Sequence, residues 1–355
     1  MRILFVHSEP DYLRDNPYVY SLVKGLKSQG CTIDCSLEQF WSNYDEYDIF
    51  HFQWPESIFN WEPVTNEDVE KLAIHLSRLL NKKKKIVYTR HNIVPHYSTN
   101  EYKEKLYKLL ERESDVILHM GVYSLTQLKS QITDRDTRHF IVPHHTYDEI
   151  YTSIIDKESA RKRLKIKNDK FVFLCFGAFR NKEERKMVYK SFSKLKYPKK
   201  LLVAPRFFKY KINIKHPRAL IKGIIERLNY FSLSNDKSLS AKFIDNQMLP
   251  YYFSSADVIF IQRCQILNSG NIPMAFHFCK TVIGANTGNV GELLKKSDNI
   301  VFNPSDFSSI VDAMERSMEK VNSGQGTRNK EYAKKYLNTK EIARQIKQIY
   351  ISILE

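Results

Sequence analysis

The sequence predicts an α/β protein built from two parallel-sheet domains, and three observations lead to that prediction. Its 355 residues exceed one ordinary core and suit two domains of about 150–180 residues. Short apolar runs alternate with helical patterns along the chain, as βαβ units require. Polar residues follow many of these runs, where parallel sheets bind ligands. We place the first domain at 1–150, the second at 151–335 and a closing helix at 336–355.

In the first domain, short apolar runs predict buried parallel strands, and longer periodic stretches predict helices. The run Arg2–His7 is typical of a first strand and not of a signal peptide, because a histidine and a carboxylate follow it. Helices are predicted at Pro17–Gly30, which glycine closes, and at Asn66–Asn81, which has an apolar stripe. Further strands are predicted at Asp48–Gln53, Ile86–Thr89, Val116–Leu118 and Phe140–Val142.

A second series of elements follows a polar, lysine-rich stretch at 151–170. The same criteria apply, and the alternation of strands and helices again predicts a parallel sheet. Helices are predicted at Met274–Cys279, Val311–Val321 and Thr339–Leu354. Strands are predicted at Lys170–Phe176, Leu201–Ala204, Ala241–Ile244, Asp257–Ile261 and Thr281–Gly284.

Composition favours a folded, cytoplasmic protein. Apolar residues make up 42% of the chain, which is enough for packed cores. No apolar run approaches the roughly 20 residues that a membrane span needs. The five cysteines form no Cys-x-x-Cys pair, so we expect reduced core residues. The chain has no histidine pair at helical spacing, and we predict neither a bound metal nor a cofactor.

The positive charge is concentrated in the second half. The chain has 56 Lys and Arg against 40 Asp and Glu, a net charge of +16. Residues 1–150 carry 18 basic and 22 acidic side chains, whereas residues 151–355 carry 38 and 18. A basic half indicates an anionic ligand or surface, such as phosphate, nucleic acid or anionic lipid. The alternative is a lysine-rich composition that serves solubility.

Polar residues at strand ends in the first half are candidate ligand-binding and catalytic residues. His51, Trp54 and Glu56 follow one predicted strand. The indole can stack on a sugar ring, and the carboxylate can bond to sugar hydroxyls. His91 follows the next strand beside an asparagine, in a position suited to a ligand cleft. The alternatives are a tryptophan packed under a loop and a structural histidine.

A strand-to-glycine turn in the second half is the strongest local signal. Gly177 follows an apolar strand, and a basic loop with Arg180 opens a helix that contains Arg185 and Lys186. A helix N-terminus offers free N–H groups and partial positive charge, and arginine binds phosphate oxygens well. The turn therefore suits a diphosphate. The alternative is a solvated helix start.

Two further turns are rich in glycine and asparagine. Asn268, Ser269, Gly270 and Asn271 precede an apolar helical run, and another such turn ends at Glu292. Glycine in such turns lets the backbone approach a ligand closely. Each turn is a weak signal by itself, because similar turns occur in many α/β proteins.

Taken in order, these motifs resemble bacterial glycosyltransferases of the GT-B fold, in the broad group typified by family 4. The likeness is specific in the segments FGAFRNKEERK, SSADVIFIQRCQILNSGNIPMAF and KTVIGANTGNVGELL, and looser in the first half. It implies two Rossmann-like domains whose parallel sheets face each other across a cleft. The second domain would bind a nucleoside-diphosphate sugar, the first would bind the acceptor, and the last helix would cross back to the first domain.

The resemblance also assigns roles. The glycine-led basic turn would bind the donor diphosphate, and the asparagine loop with Glu292 would hold the sugar and nucleotide. The segment YTRHN is similar to the family's strand-end histidine near the donor sugar, which implies that role for His91. One feature departs from the family: two positions that usually carry glutamate are Ile266 and Met274 here.

We therefore predict metal-independent transfer of a sugar to a glycan or lipid-linked glycan in surface polysaccharide synthesis. An inverting reaction needs a base for the acceptor hydroxyl, with Glu56 first and His91 or Asp11 next. In a retaining reaction His91 would position the donor. The missing glutamates leave a non-catalytic nucleotide-sugar-binding subunit as the alternative. The basic half leaves a nucleic-acid-binding protein as the less favoured alternative, but no nucleic-acid motif accompanies it, so we expect no nucleic-acid partner.

The segment from Phe207 to Phe231 adds a membrane hypothesis. Its cations alternate with apolar and aromatic residues, and Glu226 is its acidic residue. Beyond Pro217 the apolar positions recur at helical spacing, a pattern typical of helices that lie on anionic membranes. We expect either a protein at the inner face of the membrane or a surface helix whose apolar stripe packs on its own sheet.

Overall fold

The chain folds into two compact units, and the computed structural model describes residues 1–13, 16–95, 100–130, 136–212 and 216–355. Unit 1 comprises Met1–Ile150 and Tyr336–Glu355, and unit 2 comprises Tyr151–Lys335. Each unit contains a six-stranded sheet in which neighbouring strands run parallel. The predicted α/β fold class with two parallel sheets is therefore confirmed.

The bounds of the elements are as follows. The strands are β1 (Arg2–Phe5), β2 (Thr32–Cys35), β3 (Ile49–Phe52), β4 (Lys85–Arg90), β5 (Val116–His119), β6 (Arg138–Ile141), β7 (Phe171–Leu174), β8 (Lys200–Ala204), β9 (Lys237–Leu239), β10 (Val258–Ile261), β11 (Thr281–Ala285) and β12 (Ile300–Phe302). The helices are α1 (Tyr18–Ser28), α2 (Leu37–Ser42), α3 (Asn66–Asn81), α4 (Glu101–Glu113), α5 (Val122–Lys129), α6 (Lys157–Leu164), α7 (Lys182–Lys194), α8 (Pro217–Leu228), α9 (Leu249–Ser255), α10 (Asn271–His277), α11 (Gly288–Lys296), α12 (Phe307–Asn322), α13 (Gln325–Tyr336) and α14 (Thr339–Ser352).

The sheet of unit 1 has the order β2-β1-β3-β4-β5-β6. Its central strands are buried on both faces, which is why they have continuous apolar runs. Helix α14 packs closely on α1 at Gly25. A Cβ atom at this position would lie 2.7 Å from the Thr339 methyl group, so only glycine fits here. The Thr339 hydroxyl also donates a 2.8 Å hydrogen bond to the carbonyl of Thr146. The last helix is therefore an integral part of unit 1.

The sheet of unit 2 has the order β12-β11-β10-β7-β8-β9. A buried ion pair ties α6 to this sheet. Arg161 Nη2 lies 2.8 Å from Asp257 Oδ2, and the same oxygen accepts a 2.7 Å hydrogen bond from the backbone N–H of Val172. Both charged side chains are almost fully buried, so loss of either partner would leave an uncompensated charge.

One predicted strand is wrong, and three strands, β2, β9 and β12, are not predicted by the sequence pattern. The run Ala241–Ile244 makes only an isolated bridge to Arg206, whereas β9 pairs with β8 a few residues earlier. Because β8 ends before Pro205, which has no N–H, the ladder cannot extend to the predicted run. β2 escapes prediction because its sequence, TIDC, contains polar residues, and β12 escapes because it has only three residues.

Candidate functional site

The topological switch point of unit 2 lies between β7 and β10, where successive connections leave in opposite directions. Ligands of open parallel sheets bind beyond the carboxyl ends of the strands at this point. Gly177 follows β7 with a φ of +97°, a left-handed conformation that glycine adopts without steric cost. The side-chain amide of Gln262, which follows β10, donates to the carbonyls of Phe176 and Gly177 at 3.2 Å each. Asn271 donates to the Phe176 carbonyl at 2.8 Å. The fold thus brings Asn271 to the Gly177 turn.

The two asparagine-rich turns are joined to each other. The backbone N–H of Asn289 donates to the Leu267 carbonyl at 2.9 Å, and its side-chain amide donates to Asn268 Oδ1 at 2.7 Å. Gly288 allows this approach, since a Cβ there would lie 2.4 Å from the Ile266 carbonyl oxygen. Both turns therefore form one connected structure at the carboxyl edge of the sheet.

The remaining predicted residues of these turns have defined places. Ser269 and Gly270 are half-buried, and their carbonyls accept hydrogen bonds from the first residues of α10. Glu292 is half-buried in the second turn of α11. Of the two positions that lack the family's glutamates, Met274 is buried and Ile266 is half-buried.

The start of α7 differs from the expected basic site, because Glu184 lies there. Its Oε2 accepts a 2.7 Å hydrogen bond from the backbone N–H of Arg180. The same oxygen forms an ion pair with Arg263, whose Nη1 lies 2.9 Å away. Asn181 caps the helix by accepting from the N–H of Glu184. An Asn followed three residues later by Glu is a capping pattern, and this signal in the sequence could have revealed the role of Glu184.

The three predicted cations therefore have different environments. Arg180 is half-buried in the loop after Gly177, and Lys186 is exposed on α7. Arg185 is 6% exposed, donates to the Phe179 carbonyl and lies 3.7 Å from Glu226. The structure thus places Arg185 beside the half-buried carboxylate of Glu226, and its assignment to the diphosphate stays a prediction.

The carboxyl edge of the sheet in unit 1 carries a chain of hydrogen-bonded side chains. His51 Nε2 lies 2.7 Å from Thr89 Oγ1, and His51 Nδ1 lies 2.5 Å from the hydroxyl of Tyr350. Gln53 connects this group to His91, whose Nε2 lies 2.8 Å from Gln53 Oε1. His51 has no exposed surface, and burial lowers its pKa to about 3. The structure therefore places His51 in the interior and not at a surface that an acceptor could contact.

Aromatic rings surround His91. Trp54 stacks on it with the ring centroids 4.0 Å apart, and Tyr18 contacts it edge-on at 4.8 Å. His144 and His145 contact the same tyrosine. Trp54 is 9% exposed and His91 is 6% exposed, so little of either ring is accessible. The structure brings the predicted residues Trp54 and His91 into direct contact.

Glu56 lies in a short helical turn, Pro55–Phe59, and is mostly buried. The hydroxyl of Tyr107 donates to its carboxylate at 2.9 Å. Burial raises the pKa of Glu56, although the hydrogen bonds oppose this effect. Asp11 is half-buried in a loop, where it accepts from the N–H of Leu13. A carboxylate with a raised pKa is a better proton acceptor, as a general base requires.

The described residues form neither a metal cluster nor a membrane-spanning helix. Within the described ranges, no group of three or more His, Cys, Asp or Glu side chains could hold a metal ion. No helix in the part of the chain that the structure describes is long and apolar enough to cross a membrane. The five cysteines are free thiols.

Comparison with solved structures identifies the architecture. The chain is similar to a sucrose-phosphate synthase from Thermosynechococcus elongatus, with a TM-score of 0.76, 14% identity and 99% of each chain covered. It is similar to HepE of Anabaena in complex with UDP, with a TM-score of 0.72, 14% identity, and 99% of this chain and 100% of that chain covered. The fold is GT-B.

The same architecture occurs in a further solved protein. A UDP-GlcNAc 2-epimerase from Neisseria meningitidis, bound to UDP-GlcNAc, has a TM-score of 0.58 and 13% identity, and covers 99% of this chain and 100% of its own. No protein-family model and no curated protein matches the sequence. At this level of identity, the likeness establishes the fold alone.

Proposed function

We propose that this protein transfers a sugar from a nucleoside-diphosphate sugar to a glycan or lipid-linked glycan during surface polysaccharide synthesis. The supporting observation is the connected set of glycine turns and amide side chains at the switch point of unit 2. It lies on a fold whose solved examples include complexes with UDP and with UDP-glucose. Parallel-sheet proteins bind nucleotides at this edge, so we assign the donor to unit 2.

The donor site must stabilise the leaving diphosphate, on which negative charge develops as the glycosidic bond breaks. We assign this role to the Gly177 turn and to Arg180, which follows it closely along the chain. Lys186 is exposed on α7 and adds positive potential. Arg185 is held by Glu226, so its role in this proposal is to fix α7. Asn268 and Asn271, with Ser269, Gly270 and Glu292, would contact the sugar and nucleotide without a metal ion.

The acceptor is assigned to unit 1. Trp54 would contact an acceptor sugar through the part of its ring that stays accessible, and His91 would lie beside it. His51 and Gln53 would hold His91 through the hydrogen-bonded chain. In an inverting reaction Glu56, whose pKa is raised by burial, would accept the proton of the attacking hydroxyl. In a retaining reaction His91 would instead position the donor.

A non-catalytic nucleotide-sugar-binding subunit is the second candidate. It is favoured by the apolar side chains of Ile266 and Met274, where similar enzymes usually have glutamates. Met274 is 3% exposed and belongs to the core, so it supplies no polar contact to a ribose or sugar. Binding of the donor without turnover would distinguish this candidate from an enzyme.

Thermal denaturation with UDP, GDP and ADP tests the donor assignment. A nucleotide present at 100 times its Kd should raise the free energy of unfolding by about 2.7 kcal/mol. Asn271→Ala should remove much of this effect, because it frees the Gly177 turn. Asn322→Ala, at an exposed asparagine at the end of α12, is the matched control. If no nucleoside diphosphate stabilises the wild-type protein, both candidates are wrong.

A transfer assay then separates the two candidates. Labelled UDP- and GDP-sugars are incubated with glycan and lipid-linked glycan acceptors, and free nucleoside diphosphate and labelled product are measured. An enzyme releases one nucleoside diphosphate for each sugar transferred. A protein that is stabilised by the nucleotide but gives no product with any donor and acceptor supports the binding subunit.

A further inference from the structure

Helix α8 of unit 2 is attached to the protein by its polar side. The carboxylate of Glu226 accepts hydrogen bonds from the backbone N–H groups of Lys209 and Tyr210, at 3.0–3.2 Å. Arg227 donates to the carbonyl of Tyr210 at 3.1 Å. Gly223 is the buried residue of the helix, and it lies close to the side chain of Tyr210. These contacts fix which side of α8 faces inward.

The apolar side of α8 consequently faces outward. Its three isoleucines and Leu228 recur at the spacing of a single helical stripe, and their exposed fractions are high: Ile221 58%, Ile224 43%, Ile225 54% and Leu228 67%. Leu220, at one margin of the stripe, is half-buried. Two residues just beyond the helix, Phe231 at 71% and Leu233 at 90%, are also exposed. The expectation that this stripe packs on its own sheet is therefore wrong.

Exposed cations flank the stripe. Lys209, Lys211, Arg218 and Lys222 have exposed side chains. The acidic residue of the segment, Glu226, is turned inward and bonded to backbone. The outer face of α8 is thus apolar and positively charged. Ile214 and Lys215, which also belong to the predicted amphipathic segment, lie outside the described residues.

An open groove of about 560 Å³ lies between Lys211 and Ile212 on one side and Arg227 of α8 on another. Lys211, Arg227 and Lys242 line it together with Ile212 and Phe243, and the last two are 52% and 50% exposed. Asp245, Ser240 and Ala241 complete its walls. The exposed cations Lys211 and Lys242 beside two exposed apolar side chains match the chemistry of a phospholipid, which has an anionic headgroup next to acyl chains.

We propose that the outer face of α8, with the adjoining groove, docks on an anionic phospholipid bilayer. Charge complementarity favours this partner, because a second copy of the chain would bring the same cations together. Partial burial of the four exposed α8 side chains in the interface would supply the apolar contribution to binding. The inference does not depend on the proposed sugar transfer.

Cosedimentation with vesicles tests the proposal. Wild-type protein should bind phosphatidylcholine vesicles that contain phosphatidylglycerol at low salt, and it should be released at high salt. Pure phosphatidylcholine vesicles should bind it much more weakly. Changing Lys211, Arg218 and Lys222 together to Gln should lower partitioning by roughly 100-fold, from about 1 kcal/mol per cation. The control changes Lys162, Arg163 and Lys167 to Gln, which removes three exposed cations elsewhere on unit 2.

A second variant tests the apolar contribution without a change of charge. Ile224→Ser with Leu228→Ser should reduce vesicle binding at least 10-fold, whereas Ile154→Ser, at another exposed isoleucine of unit 2, should not. Circular dichroism and melting temperature verify that each variant is folded. If wild-type protein remains in the supernatant at low salt, or if both sets of charge-removing changes weaken binding equally, the proposal is wrong. A dimer in solution that Leu228→Ser dissociates, without vesicle binding, would show that this face binds a second copy instead.

Discussion

Gly288→Ala is the substitution that most directly tests the geometry of the two asparagine turns. Gly288 begins α11 with a φ of +54°, and a Cβ there would lie 2.4 Å from the carbonyl oxygen of Ile266 and 3.0 Å from the Cα of Leu267. These neighbours are backbone atoms, so they cannot rotate away as a flexible side chain would. The Asn268 turn must move to make room for a methyl group.

Two costs add in this variant. A residue with a Cβ in the left-handed region costs about 1–2 kcal/mol, and forcing a methyl into a packed site costs typically about 1–3 kcal/mol more. We expect Gly288→Ala to lower the free energy of unfolding by about 2–5 kcal/mol. Gly324, in the same unit, has a φ of +79°, and a Cβ there would meet no atom of a non-adjacent residue within 4 Å. Gly324→Ala should therefore cost only the first contribution.

Urea denaturation of both variants measures the two stabilities, and titration with the stabilising nucleoside diphosphate measures affinity. Displacement of the Asn268 turn should reduce nucleotide affinity at least 10-fold in Gly288→Ala, about 1.4 kcal/mol, and leave Gly324→Ala unchanged. Equal losses of stability in both variants would show that the Ile266 carbonyl does not constrain this position. Normal nucleotide affinity in a destabilised Gly288→Ala would separate the asparagine turns from the donor site.

Four further predictions concern ligands, metal and pH. Arg180→Ala should weaken binding of a nucleoside diphosphate roughly 10- to 150-fold, from about 1.5–3 kcal/mol for a hydrogen bond to a charged group, while nucleoside binding stays the same in calorimetry; equal losses would remove Arg180 from the diphosphate site. Transfer activity should survive excess EDTA, and a loss that Mg²⁺ or Mn²⁺ restores would contradict the metal-free reaction. His91→Ala should lower turnover with little change in melting temperature or nucleotide affinity, and the reverse pattern would make His91 a structural residue. Stability should fall as pH drops below about 6.5, because His51 stays neutral in the folded state down to a pKa of about 3 whereas the unfolded chain takes up the proton; the expected loss is about 2 kcal/mol for this residue at pH 5, and urea midpoints that are equal at pH 7.5 and pH 5 would refute it.

The apolar runs of the sequence predict most of the sheets correctly, because a parallel strand buried on both faces needs apolar residues throughout. β3 and β10 are such strands. The edge strand β9 has the polar sequence KSL, and no such signal marks it. The run at Ala241–Ile244 is more apolar than β9, and the sequence pattern therefore predicts a strand there instead. Local patterns predict central strands better than edge strands.

The candidate turns could be found from the sequence, since the local backbone conformation of a turn after a strand favours glycine and asparagine. Their partners could not. The amide of Asn289 reaches Asn268, 21 positions earlier, and the Gln262 amide reaches the Gly177 carbonyl, 85 positions earlier. Such contacts depend on strand order, and the sequence between them does not encode that order in any short pattern.

The sequence by itself determined the α/β class, the two-part organisation and the residue types at the strand ends. Only the tertiary structure decided which of these residues are accessible. His51 is fully buried, and its ring nitrogen is bonded to the hydroxyl of Tyr350, 299 positions away. Arg185 is mostly buried beside Glu226. Helix α8 shows the same division: its periodicity is local, but the contacts of Glu226 and Arg227 decide that its apolar side faces outward. Periodicity is a property of neighbouring residues, whereas burial is a property of the whole chain.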